Sequence, residues 1–170
     1  FDDFSCFSVL RSKRFFSLSI PYDFKFSILE HLAICGLLVK IYCDFMANDF
    51  FTDKTPKGKY ADIFSDDKII SKIYQNVITH DVEEVIFGDI PSPVRIESLN
   101  NLKISVREKI MNFLGITQLS SSVILVAVKH IDTVAAFVEL YCYKDVLDVE
   151  QQKKMFSYYI DRIYKFEIDN

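Results

Sequence analysis

Apolar positions recur near a period of 3.6 residues in five stretches of the chain, the pattern of helices that bury one face. The first predicted helix covers residues 26–49, where Ile28, Leu32, Cys35, Val39, Tyr42, Phe45 and Met46 keep that spacing. Ser27, with Glu30 three residues on, has the capping-box pattern. Leu37, Leu38 and Ile41 widen the apolar surface until it nearly surrounds this helix, which predicts a central place in a bundle. A second helix is predicted over residues 66–79, capped by Ser65 or Asp66 and carrying Ile69, Ile70, Ile73, Tyr74, Val77 and Ile78. Ser105, with Glu108 in the capping-box position, opens a third that runs to Leu114. Its expected inward face is Ile104, Val106, Ile110, Phe113 and Leu114, and Gly115 closes it. Residues 123–143 predict a fourth helix, apolar on most sides. Residues 148–166 predict a fifth, with a stripe of Val149, Met155, Phe156, Tyr159, Ile160, Ile163 and Tyr164.

The segments between these helices set the domain organisation. Residues 1–22 form a Phe-rich arm with a basic knot of Arg11, Lys13 and Arg14, ended by Pro21. Residues 50–65 hold Pro56, Gly58 and three lysines and read as a surface loop. Residues 81–87 read as a separate turn of helix. Gly88, Pro91 and Pro93 then mark a loop near 87–95 inside one domain spanning 23–170. The expected fold class is therefore all-α: a compact multi-helix bundle with a Phe-rich N-terminal arm.

Composition narrows the function classes. Four glycines in 170 residues is well below the average of about 7 %. So few left-handed positions argue against a turn-rich β-sandwich or propeller, and no glycine-rich phosphate cradle can be assembled. A net charge of −4 disfavours a protein whose main task is to cover nucleic-acid backbone. Cys6, Cys35, Cys43 and Cys142 are widely spaced, which fits reduced thiols in a cytoplasmic or nuclear protein. The longest apolar run, 32–39, is far too short for a membrane span. A chain that opens on Phe1 is expected to be a fragment or a trimmed sequence.

Few residues suggest chemistry. His31 and Cys35 lie four apart and share a helix face, but a zinc site needs about four ligands. The candidates to complete one, Cys43 and Asp44, sit two turns further on. The expectation is core positions for Cys35 and Cys43 and a rim position for His31. His80-Asp81 has the composition of an imidazole–carboxylate pair, yet neighbours in a helix do not face each other. His80 is expected instead at a helix C-terminus, favoured by the dipole. Asp81, Glu83, Glu84 and Asp89 are expected to form a solvated acidic face. No nucleophile, base and oxyanion donor assemble, so no catalytic residue, metal ligand or cofactor is assigned.

Two stretches resemble pieces of a cyclin box, closest to the P-type cyclins. Ile104-Ser105-Val106-Arg107-Glu108-Lys109-Ile110, followed by 119–132, is similar to that family's opening helix pair. Alternatively, Leu-Val-Ala-Val-Lys-His-Ile-Asp at 125–132 is similar to its central helix, which aligns 148–166 with the last helix. The two registers exclude each other. In the second, Lys129 matches the lysine that holds the kinase-facing loop in cyclins, although no Glu stands between Gln151 and Lys165 to pair with it. The resemblance implies an all-α kinase regulator.

The function expected first is a non-catalytic subunit or adaptor that docks on a larger assembly, with a cyclin-like kinase regulator as its sharpest form. The alternatives are a ribosome- or ribonucleoprotein-associated factor that contacts RNA through local basic patches, and a small helical enzyme with a site near His80 and Asp81. The expected partner-binding residues are Phe4, Phe7, Arg11, Lys13, Arg14, Phe15, Phe16, Phe50, Phe51, Lys129, Lys153, Lys154, Arg162 and Lys165. Sixteen Phe are more than this core needs, so several are expected to be covered by a protein partner.

Overall fold

A computed structural model describes residues 26–48, 61–87, 97–116 and 121–164, and among them every regular element is a helix. In chain order these are α1 (Ile28–Ala47), α2 (Ala61–Phe64), α3 (Asp67–Val77), α4 (Glu84–Phe87), α5 (Glu97–Phe113), α6 (Ser122–Cys142) and α7 (Val149–Tyr164). The N-terminal arm, Phe50, Phe51 and residues 88–96 lie outside the described residues.

Local chemistry sets the ends of these helices. The Ser27 hydroxyl accepts from the Glu30 N–H at 3.2 Å, and the Glu30 carboxylate accepts from the Ser27 N–H at 2.7 Å, a complete capping box. Asp66 accepts from the Lys68 N–H at 2.8 Å at the start of α3. Asp148 accepts from the Gln151 N–H at 2.8 Å at the start of α7. α5 ends in a Schellman turn. The Ile116 N–H reaches the Met111 carbonyl and the Gly115 N–H the Asn112 carbonyl, with Gly115 at φ +68°.

Helices α1, α3 and α6 pack on one another, α2 lies on α1, and α7 lies on α6. Their shared core is built from Val39, Tyr42, Cys43, Phe64, Ile73, Val77, Ile124, Ala127, Ile131 and Ala135, with Cys35 at one end. Alanines on α6 and Gly36 on α1 permit close approach. A Cβ at position 36 would stand 3.3 Å from Ile78 Cγ2. A smaller cluster joins Tyr143 and Leu147 to Phe26 and Met155.

Three expectations need correction. α1 is not buried all round: Leu37 is 76 % exposed, and Leu29 and Ile41 are half-exposed, because neighbours cover only one side of it. The predicted 50–65 loop contains α2, whose Phe64 is driven into the core. α5 begins at Glu97, eight residues before the expected Ser105, and the expected inward face is largely outward. Phe113 is 89 % exposed, whereas Lys103 and Met111 are buried. The reason is electrostatic. Lys103 Nζ lies 3.0 Å from the buried carboxylate of Glu84, and Arg107 grips Glu83 through Nε at 2.7 Å and through Nη2. These pairs hold Lys103 and Arg107 inward, and Leu102, Ile104, Phe113 and Leu114 are left outside. Among the described residues, no helix is long and apolar enough to cross a membrane.

Candidate metal centre

The buried polar residues at one end of the core converge on a single point. His31 occupies the first turn of α1 and Cys35 the next turn of the same face. His80 and Asp81 follow α3 in the turn that leads to α4. Asp132 and Glu139, seven residues apart on α6, present their side chains from one face two turns apart. The packing of α1, α3 and α6 brings all three sources together.

Each imidazole is oriented by its Nδ1. His31 Nδ1 lies 2.6 Å from Glu139 Oε1, and both side chains are fully buried. His80 Nδ1 lies 2.6 Å from the Val77 carbonyl. A carboxylate and a carbonyl only accept, so each Nδ1 carries a proton and donates it. Both Nε2 atoms then face inward. His31 Nε2 is 3.1 Å from Asp132 Oδ1. His80 Nε2 is 3.4 Å from that same oxygen and 3.2 Å from Asp81 Oδ2. His80 Nε2 is buried and makes no well-aligned hydrogen bond among the described residues. The two rings stand 5.4 Å apart, centroid to centroid.

A neutral imidazole with its proton on Nδ1 carries a lone pair on Nε2. His31 Nε2 lies close to Asp132 Oδ1 and 3.3 Å from the Cys35 thiol, and His80 Nε2 lies between oxygens of Asp81 and Asp132. Close approach of such a nitrogen to a carboxylate oxygen is repulsive unless a proton or a metal ion lies between them. Protons alone leave a clear electrostatic mark. Burial opposes a charged His80, yet Asp81 and Asp132 hold its pKa well above the ordinary imidazole value. Burial would likewise raise the Asp132 carboxyl, but close contact with His31 and His80 and their charge pull it far below the usual carboxylate range. The same convergence suits a divalent ion. The ligand atoms of His31, Cys35, His80 and Asp132 all lie within 4.8 Å of one another. Outward Nδ1–H groups donated to a carboxylate and a backbone carbonyl are the supports that metal-bound histidines use. Asp132 and Asp81 keep 34 % and 20 % of their side chains exposed, so the centre opens to solvent on its carboxylate side while the histidine side is closed.

Several expectations for these residues are overturned. His31 is no rim residue but fully buried. His80 stands just past the C-terminus of α3, as expected, with its ring on the Val77 carbonyl, but its Nε2 also lies 3.2 Å from Asp81 Oδ2, because the two residues sit in a turn and not within a helix. Glu83 and Glu84 are not a solvated acidic face; both are buried and paired with Arg107 and Lys103. Asp89 lies outside the described residues. Cys43 and Asp44, the partners first considered for His31 and Cys35, are not part of the convergence. His80 and Asp132 take that place. The third histidine, His130, packs edge-on to Tyr42, and burial lowers its pKa to about 4.

Of the expected partner-binding residues, Lys129, Lys153, Lys154 and Arg162 are among those described. Phe4, Phe7, Arg11, Lys13, Arg14, Phe15, Phe16, Phe50, Phe51 and Lys165 lie outside the described residues. Lys129 on α6 and Lys153 and Lys154 on α7 are exposed, and Arg162 is half-buried beside the Tyr158 ring. No protein-family model, curated protein or solved structure matches the chain.

Proposed function

We propose that this chain is a metal-dependent hydrolase whose centre is formed by His31, His80 and Asp132, with Asp81 at its rim. The observation that carries the reading is the convergence of two outward-anchored histidines on the shared oxygen Asp132 Oδ1. Imidazole and carboxylate donors together suit first-row divalent ions such as Mn²⁺, Fe²⁺, Co²⁺ or Zn²⁺. An ion held there would supply a nucleophilic water near neutral pH and polarise a substrate oxygen. The chain's own residues fix both rings and close the site behind them, and they leave the carboxylate side open for a substrate.

The substrate class proposed is a phosphate ester, whose phosphoryl oxygen a divalent ion would polarise while also supplying the attacking water. Arg107 is not counted as a substrate contact, because its Nε and Nη2 are engaged by the buried Glu83. The test is phosphate release from a panel of phosphomonoesters, using metal-stripped protein reloaded with Mn²⁺, Co²⁺ or Zn²⁺. Metal-dependent turnover that falls at least 100-fold in Asp132→Asn supports the reading. A panel with no metal-dependent turnover, or turnover unchanged in Asp132→Asn, overturns it.

A second reading, a subunit that docks on a larger assembly, is supported by α5. Leu102, Ile104 and Leu114 are at least half-exposed beside Phe113, and this helix touches the others only slightly. Its narrower form is the cyclin-like kinase regulator, which requires that a protein kinase co-purify with the chain. The ribonucleoprotein alternative rests on the exposed Lys153 and Lys154 and requires salt-sensitive sedimentation with ribosomes.

A further inference from the structure

Cys35 is placed differently from the other buried cysteine of α1. Cys43 lies among apolar neighbours two turns on, where a thiol behaves as a small hydrophobe. Cys35 is fully buried, and its Sγ stands 3.3 Å from His31 Nε2, the nitrogen that faces Asp132. Metal–nitrogen bonds of about 2.0–2.1 Å and metal–sulfur bonds of about 2.3 Å, at angles between square and tetrahedral, place such a pair of ligands about 3.1–3.6 Å apart. The observed separation falls inside that interval. The i, i+4 spacing is what allows one helix face to offer an imidazole and a thiol to one ion.

We infer that Cys35 Sγ is a thiolate ligand of the ion held by His31, His80 and Asp132. This inference rests on the metal centre proposed above and adds a soft donor to an otherwise nitrogen and oxygen set. The thiol proton passes to solvent as the sulfur–metal bond forms, and no electrons are transferred. A thiolate shifts selection away from Mg²⁺ and Mn²⁺, which prefer oxygen donors, and toward Zn²⁺, Co²⁺ and Fe²⁺. The centre would then discriminate among ions by donor softness, while the carboxylates face the substrate side.

Cobalt titration of the full chain tests the inference without reference to activity. Visible ligand-field absorption reports Co²⁺ in the centre, and a near-ultraviolet thiolate-to-cobalt band reports the sulfur bond. Wild type is expected to show both. Cys35→Ser and Cys35→Ala are expected to keep the visible bands, lose the near-ultraviolet band and bind Zn²⁺ at least tenfold more weakly with Mn²⁺ binding unchanged. If the variants fail to fold, zinc X-ray absorption of the Zn²⁺-loaded wild type, read for a sulfur at about 2.3 Å, replaces them. Visible absorption without the near-ultraviolet band, a band that survives in Cys35→Ser, or a zinc shell with no sulfur would overturn the ligand role while leaving the hydrolase centre intact. No cobalt absorption at all would overturn both.

Discussion

Glu139 never touches the proposed ion, and replacing it by Gln tests whether the second layer of the centre does what its geometry implies. The carboxylate is fully buried on α6, with Oε1 2.6 Å from His31 Nδ1. It fixes the His31 tautomer with Nε2 inward and makes the ring a better donor. Glu139→Gln keeps the shape and removes the charge. Loss of an outer-layer partner of this kind lowers metal affinity about 10–100-fold, or about 1.4–2.7 kcal/mol. Isothermal titration of metal-stripped protein with Zn²⁺ measures this directly. Glu139→Ala goes further and leaves a buried His31 without its carboxylate. Breaking a buried pair costs about 3–5 kcal/mol. At about 2–4 °C per kcal/mol for a domain of this size, Tm should fall by about 6–20 °C. Zn²⁺ affinity in Glu139→Gln within twofold of wild type would refute the argument that the Glu139 charge makes His31 a better donor. An unchanged Tm in Glu139→Ala would show that the contact does not hold the helices.

Four further outcomes follow from the packing. Arg107→Ala strands the buried Glu83 and should cost about 3–5 kcal/mol in urea unfolding, with a double-mutant cycle against Glu83→Gln showing strong coupling. Gly115→Ala should cost about 1 kcal/mol through backbone strain alone, because φ is +68° and no atom lies within 4 Å of the added Cβ. Ser27→Ala removes one half of the capping box on α1 and should destabilise by about 1 kcal/mol, measured the same way. Burial pushes the Cys43 thiol up to about 11, so at pH 8 the exposed Cys142 should react with iodoacetamide much faster than Cys43 in a peptide-resolved time course.

The helices were legible because each of the long ones carries an apolar period and most carry a local end signal. The capping box at Ser27 and the left-handed Gly115 lie where the spacing places them. Orientation was less legible. An apolar face predicts burial only if another element comes to cover it. In α5 the buried pairing of Lys103 and Arg107 with Glu84 and Glu83 outweighs that rule. The candidate centre was half visible. His31 with Cys35 and His80 with Asp81 stand out as pairs, but spacing along the chain says nothing about their separation in space. The missing link was Asp132, which joins the two histidines from a third helix. One signal was available: Asp132 and Glu139 are acidic residues seven apart, one face of a helix that is otherwise apolar on that side. A carboxylate kept on a core face needs a partner, and the chain has only three histidines to offer as one.

Whether His31, His80 and Asp132 hold one divalent ion is decided by anomalous diffraction from crystals grown with Co²⁺ or Zn²⁺, collected on either side of the metal edge. One strong anomalous peak per chain is expected, within bonding distance of both Nε2 atoms and of Asp132 Oδ1. Full metal occupancy elsewhere in the chain, or none at that point in crystals containing excess metal, would contradict it.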